Sequence, residues 1–99
     1  CLFLDGRHQL LAWRELFHGS VTRATVHPRE IVKDALRLNA APVILAHNHP
    51  SGGTLPSSED IELTRALTEI LAIIDVRVLD HLIVGDEIVA LTETGHHQP

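Results

Sequence analysis

The run APVILAH, residues 41–47, is apolar without alternation, too short for a typical helix, and headed by Pro42. Unbroken apolar character over such a length belongs to a strand covered on both faces, so the chain is organised around a central buried strand. The next stretch, NHPSGGTLP, holds two prolines and a Gly-Gly pair, which exclude regular structure. SSED then opens a helix, with Ser57 as the cap and Asp60 at the position a capping box requires. A buried strand, a constrained polar loop and a capped helix follow one another directly, and this unit limits the fold class more than any other feature.

The flanking segments fill in an α/β chain. CLFLD and LLAWRELF read as two strands around the turn GRHQ, and HGSVTRATV as an extended segment or third short strand. HPREIVKDALRLNAA reads as a helix of about three turns, with Pro28 in its first turn, Glu30 at its positive end, and Ile31, Ala35 and Leu38 on one face. Beyond Ser57, the residues Leu63, Ala66, Leu67, Ile70, Leu71 and Ile74 make a helical apolar stripe. VRVLDHLIVG and EIVALTE are strands joined at Gly85-Asp86. The expected architecture is a three-layer-like α/β sandwich, a mixed β-sheet flanked by two helices.

A length of 99 residues, 44% of them hydrophobic and 21% charged, fits one domain with one core. Residues 1–95 are expected to form it, with 96–99 a tail that frays. The chain opens on strand-like residues without a methionine or polar lead-in, which reads as a domain truncated at its N-terminus. A net charge of −5 gives no attraction to nucleic acid or anionic membranes. The single cysteine, Cys1, the lack of a long apolar span and the lack of a signal peptide point to the cytoplasm. An unpaired edge strand makes a homo-oligomer formed along the sheet conceivable.

The chemistry concentrates in HNHPSGGTLPSSED. Alternation on a strand aims His47 and His49 to one side and Asn48 to the other. A Gly-Gly turn lets the first turn of the next helix return Asp60 toward them. Two imidazole nitrogens, a carboxylate and a water make a tetrahedral zinc set with a reactive position. Such an ion acidifies its water from about 9 to about 7 and polarises a carbonyl, which is the chemistry of amide hydrolysis. Ser57 stands on the same loop as a hydrogen-bond donor for an oxyanion. Each piece also has a structural reading: a histidine at a strand end, a capping box and a turn need no metal. On the residues alone both readings remain open.

The run His47-x-His49-Pro50 followed by Ser57-x-x-Asp60 resembles the JAMM motif of the JAB/MPN metallopeptidases. More narrowly, HPREIVKDALRLNAAPVILAHNHPSG, PSSEDI and RVLDHLIVG are similar to the RadC-like branch of that family, and the resemblance runs over residues 2–91. It implies a JAB/MPN, cytidine deaminase-like fold, zinc as cofactor, and His47, His49 and Asp60 as its ligands. It also implies Ser57 as the support of a tetrahedral intermediate, and a protein or peptide as substrate. The family's general-base glutamate precedes the first strand, so here it is expected upstream of Cys1. Glu15, Glu30 and Glu59 are weaker substitutes, better read as a solvated strand residue, a dipole-favoured helix start and a solvated first-turn charge. Two other functions compete with a hydrolase: a non-catalytic protein-interaction module that keeps the fold, and a DNA-repair-associated metal-dependent nuclease. The latter lacks support from any basic face.

Regular alternation along RVLDHLIV places Asp80 with Val78 and Leu82, and His81 with Arg77 and Leu79. Asp80 is expected to satisfy backbone groups or to orient a ligand histidine. His27 flanks a helix, His8, His18, His96 and His97 read as turn or tail residues, and Arg29 as a solvated helix start.

Overall fold

A computed structural model describes residues 1–17, 26–49 and 52–99. In chain order the elements are β1 (Leu2–Leu4), β2 (Leu10–Trp13), α1 (Pro28–Leu38), β3 (Pro42–Asn48), α2 (Ser58–Ile73), β4 (Arg77–Val84) and β5 (Ile88–Ala90). They build a mixed five-stranded sheet in the order β2-β1-β3-β4-β5, with two helices, as expected of the α/β class. Only β3 and β4 run parallel, and α2 provides the long connection that parallel neighbours need. The extended segment expected at HGSVTRATV, and His18 with it, falls almost wholly outside the described residues. Among the described residues no helix is long and apolar enough to cross a membrane.

Local chemistry explains the element boundaries. The β1–β2 turn is held by Asp5, whose Oδ1 accepts the N–H groups of Arg7 and Gln9 at 2.9 Å each, while His8 adopts a φ of 63°. Helix α1 starts on Pro28, whose missing N–H is no loss there, and ends on Asn39 in the left-handed conformation. Strand β2 stops at Trp13, earlier than the apolar run to Phe17 suggests, because the ladder with β1 extends only from Leu10 to Trp13. Likewise β5 ends at Ala90, where a turn replaces the expected strand residues Leu91–Glu93.

The buried cluster joins every layer. Phe3 of β1, Val43 and Leu45 of β3, Val78 of β4, Ile31 and Ala35 of α1, and Leu63, Leu67 and Leu71 of α2 all belong to it. The stripe on α2 is narrower than its sequence suggests: Ala66, Ile70 and Ile74 are half-buried, and Thr64 is buried in their place.

The pairing of β3 with β4 contains one irregularity. Val43 stands opposite Val78, but Ile44 stands opposite Asp80, so Leu79 is an extra residue on β4. A bulge of this kind shifts the face of every side chain after it. Val78, His81 and Ile83 are therefore the buried residues of this strand. This corrects the assignment of His81 to the side of Arg77 and Leu79. Neighbouring side chains hold the bulge. Asp80 Oδ1 accepts the His81 N–H at 2.8 Å, and its carboxylate also takes the Thr92 N–H at 3.2 Å and the Thr92 hydroxyl at 2.7 Å. Asp80 thus serves backbone groups and Thr92 rather than a ligand histidine. His97, expected in a fraying tail, is buried and bonds through Nε2 to the Val78 carbonyl beside the bulge.

Replacing Leu67, which is 1% exposed, by alanine should lower the free energy of unfolding by about 2–5 kcal/mol. The same change at exposed Leu36 should cost no more than about 0.5 kcal/mol. Denaturant titration of both variants checks this, and similar losses at the two sites would contradict the core described.

Candidate metal centre

The end of β3 enters the site. Val43 and Leu45 are buried on one face, and continued alternation carries His47 and then His49 onto the same side. The chain beyond is clamped against the β4–β5 turn: His49 N–H donates to Val84 O at 2.9 Å, and Asp86 N–H to Gly52 O at 3.0 Å. The two backbones touch closely enough that a Cβ on Gly85 would lie 2.5 Å from Gly52 O, so only glycine fits there. Gly52 itself has a φ of 82°.

The start of α2 supplies the third group. The Asp60 N–H donates to Ser57 Oγ at 3.0 Å, and the Ser57 N–H donates to Asp60 Oδ2 at 2.8 Å, a reciprocal capping box. The structural reading of Ser57 and Asp60 is therefore correct, but it is not the whole of their geometry. Asp60 is 1% exposed, and its two oxygens face the two histidines. His47 Nε2 lies 3.1 Å from Oδ1, and His49 Nε2 lies 3.2 Å from Oδ2. One ligand atom from each of the three residues falls within 4.8 Å of the others. Around a tetrahedral ion with bonds of about 2.0–2.2 Å, neighbouring donors stand about 3.4 Å apart. The two imidazole–carboxylate separations are close to that edge, each to a different Asp60 oxygen, while the set of one atom per residue spans up to 4.8 Å and would draw together around an ion.

Proton positions sharpen the fit. A carbonyl oxygen only accepts, so the 3.0 Å contact of His49 Nδ1 with Gly53 O puts the ring's hydrogen on Nδ1. In the neutral ring Nε2 is then a bare lone pair turned toward a carboxylate. His47 Nε2 is buried and has no hydrogen-bond partner. Buried acceptors that face one another are costly unless a proton or cation lies between them. Two imidazole nitrogens and a carboxylate are a donor set that divalent zinc-like ions accept. The three residues can thus hold a metal ion, as the sequence suggested.

Electrostatics favours the ligand forms. Burial lowers the His47 pKa from 6.5, and His49 adds to this, against the opposing pull of Asp60. For Asp60, burial pushes the pKa upward, but the Ser57 backbone N–H, His47, the Ser57 hydroxyl and His49 together outweigh it and hold the carboxyl below 3.8. A neutral His47 imidazole beside an ionised Asp60 carboxylate is the pair of protonation states that metal binding requires.

Two residues of the site were not assigned from the sequence. His81 is 2% exposed and Thr64 is 1% exposed. His81 Nε2 lies 2.7 Å from His47 Nδ1, and His81 Nδ1 lies 2.6 Å from Thr64 Oγ1. The bulge hid the first from strand alternation. The second had a usable signal, since Thr64 stands one helical turn after Asp60 and shares its face. Of the glutamates considered as substitute bases, Glu30 pairs with Lys33 at 3.6 Å, and Glu15 and Glu59 are exposed. Among the described residues, none of them belongs to a convergent donor group. Pro50 of the motif lies outside the described residues.

Comparison with known proteins agrees with this geometry. The family described as RadC-like JAB domain matches residues 1–96. The chain is 56% identical over 95 residues to the UPF0758 protein of Thioalkalivibrio sulfidiphilus, covering 96% of this chain and 43% of that protein. It is 64% identical over 85 residues to a UPF0758 protein of Ralstonia pickettii, covering 86% and 38% respectively. A Nitrosococcus oceani UPF0758 protein is 58% identical over 96 residues, covering 96% and 43%. The chain therefore spans about two-fifths of the length of these curated relatives.

Burial holds the His81 pKa down to about 4 from 6.5, helped by His47 and His97 and opposed by Asp60 and Asp80. A histidine neutral in the fold but free to protonate when unfolded makes stability rise with pH. Its contribution is complete above about 6.5 and is lost as pH falls toward about 4. Metal-free protein should therefore lose about 3 kcal/mol of unfolding free energy across that window from His81 alone. Denaturant titrations of wild type and His81→Gln at several pH values check this, and an equally steep profile in the variant would contradict it.

Proposed function

Because the chain belongs to the RadC-like JAB domain family and carries a group able to hold a metal ion, we propose that it is a zinc-dependent hydrolase domain of JAMM type. The bond cleaved is a peptide or isopeptide bond, and the partner is a protein or peptide substrate. The observation that carries this reading is the convergence of His47 Nε2 and His49 Nε2 on the two oxygens of buried Asp60, at 3.1 and 3.2 Å. His47, His49 and Asp60 hold the ion, which when bound supplies Lewis acidity and an acidified water.

The remaining roles belong to the chain. The capping box uses Ser57 Oγ as an acceptor, which leaves its hydroxyl proton for an oxyanion developing on the substrate carbonyl. The carboxylate of Asp60 is kept ionised by the Ser57 N–H, so it remains a ligand below neutral pH. Proton removal from the nucleophilic water falls to a glutamate preceding Cys1, by analogy with the family pattern. The reducing cytoplasm is the compartment in keeping with a lone cysteine.

Protein stripped by chelator and reloaded should contain close to one zinc per chain, and His49→Ala should contain almost none; equal contents would remove the ligand assignment. Ser57→Ala should keep its zinc yet lose about 10²–10³-fold in kcat on peptide and isopeptide substrates. Retention of full activity would assign Ser57 to helix capping alone. In a longer chain that begins upstream of Cys1, replacing the preceding glutamate by glutamine should abolish cleavage. Binding of a protein partner unaffected by that change, with no cleavage in either chain, would favour the interaction module.

A further inference from the structure

The hydrogen bonds behind the metal centre form a directed chain. Thr64 Oγ1 donates to Asp60 O at 2.7 Å, the i to i−4 contact of a helical threonine. Its single hydroxyl hydrogen is thereby committed, so toward His81 Nδ1, 2.6 Å away, it acts as an acceptor. His81 therefore carries its hydrogen on Nδ1. In a neutral ring this leaves Nε2 as an acceptor, and the atom it faces at 2.7 Å is His47 Nδ1. The proton of His47 must then lie on Nδ1, and its Nε2, which faces Asp60 Oδ1, must be bare.

We propose that His81, oriented by Thr64, is a positioning residue that fixes the tautomer of His47 so that Nε2 is presented as a lone pair to the metal. The chain begins and ends on one residue: the Asp60 backbone carbonyl directs the proton arrangement that its own carboxylate shares across the site. His49 reaches the same tautomer by a simpler route, through Gly53 O. Both imidazoles thus present the same nitrogen, each locked by a different element. The bulge at Leu79 is what makes the His47 route available, because regular alternation would turn His81 away. A ring without a fixed partner on Nδ1 divides between two tautomers, and only one of them can ligate through Nε2.

The affinity readout of this inference rests on the metal reading above, whereas its tautomer readout does not. The test uses full-length protein with nitrogen-15-labelled histidine, in wild type, Thr64→Val, Thr64→Ser, His81→Gln and His81→Leu. Long-range proton–nitrogen correlation spectra of metal-free protein at about pH 8 report which nitrogen of each ring is protonated. The wild type is expected to show His47 protonated on Nδ1. Thr64→Val, which keeps shape but loses the hydroxyl, should shift part of the His47 population to Nε2–H and weaken zinc by about 10- to 100-fold in competition with a chelator. Thr64→Ser should restore both readouts. His81→Gln should also restore them, since its amide oxygen accepts and its NH2 donates. His81→Leu should behave like Thr64→Val or worse, and Thr64→Val stands in for it should leucine fail to fold. A proton on His47 Nε2 in the metal-free wild type overturns the proposal, as does unchanged zinc affinity in Thr64→Val. A wild type that takes up no zinc yet shows the stated tautomer supports the relay and removes the hydrolase reading.

Discussion

The carboxylate of Asp60 ties the opening of α2 to the end of β3, and the functional geometry depends on that tie. One oxygen accepts the Ser57 N–H and faces His49, while the other faces His47. A capping carboxylate is normally exposed at a helix start, where it offsets unpaired N–H groups and the positive end of the dipole. Here it is 1% exposed, so its charge has to be balanced by what lies opposite. The helix cap and one member of the candidate ligand set are therefore the same carboxylate, and neither a structural nor a chemical description of it is complete alone.

Glycine contacts and a strand irregularity complete the framework. The loop after His49 can lie against the β4–β5 turn only because Gly85 has no Cβ to meet Gly52 O. The bulge at Leu79 turns His81 inward behind His47, and it is held by Asp80, Thr92 and His97. Residues far along the chain from the HNH run thus decide how one of its histidines is protonated. Charge burial at this cluster also explains why the protein should lose stability in acid, since His81 is neutral in the fold.

Much of this was legible in the sequence, for identifiable reasons. The unbroken apolar run before His47 marked β3, and alternation put His47 and His49 on one side. The spacing of Ser57 and Asp60 marked the capped start of α2. What depends on local pattern was readable. What depends on pairing was not: a single extra residue on β4 reversed the phase of His81, and no feature of RVLDHLIV announces it. Thr64 gives only a weak signal, because a threonine within an apolar stripe reads as an ordinary helix residue, although its spacing from Asp60 places it on the same face. The burial of His97 arises from a contact with Val78 that spans the chain's last turn and the sheet. The sequence overstates the length of β2 because apolar residues continue beyond the point where β1 offers partners.

The central claim is that two Nε2 atoms and one carboxylate converge on a single cation. X-ray absorption at the zinc edge of reloaded protein addresses it most directly. The account predicts light-atom neighbours at about 2.0–2.1 Å with the outer-shell scattering of two imidazole rings per zinc. A spectrum with no imidazole signature, or with the six oxygens of a solvated ion, would contradict it.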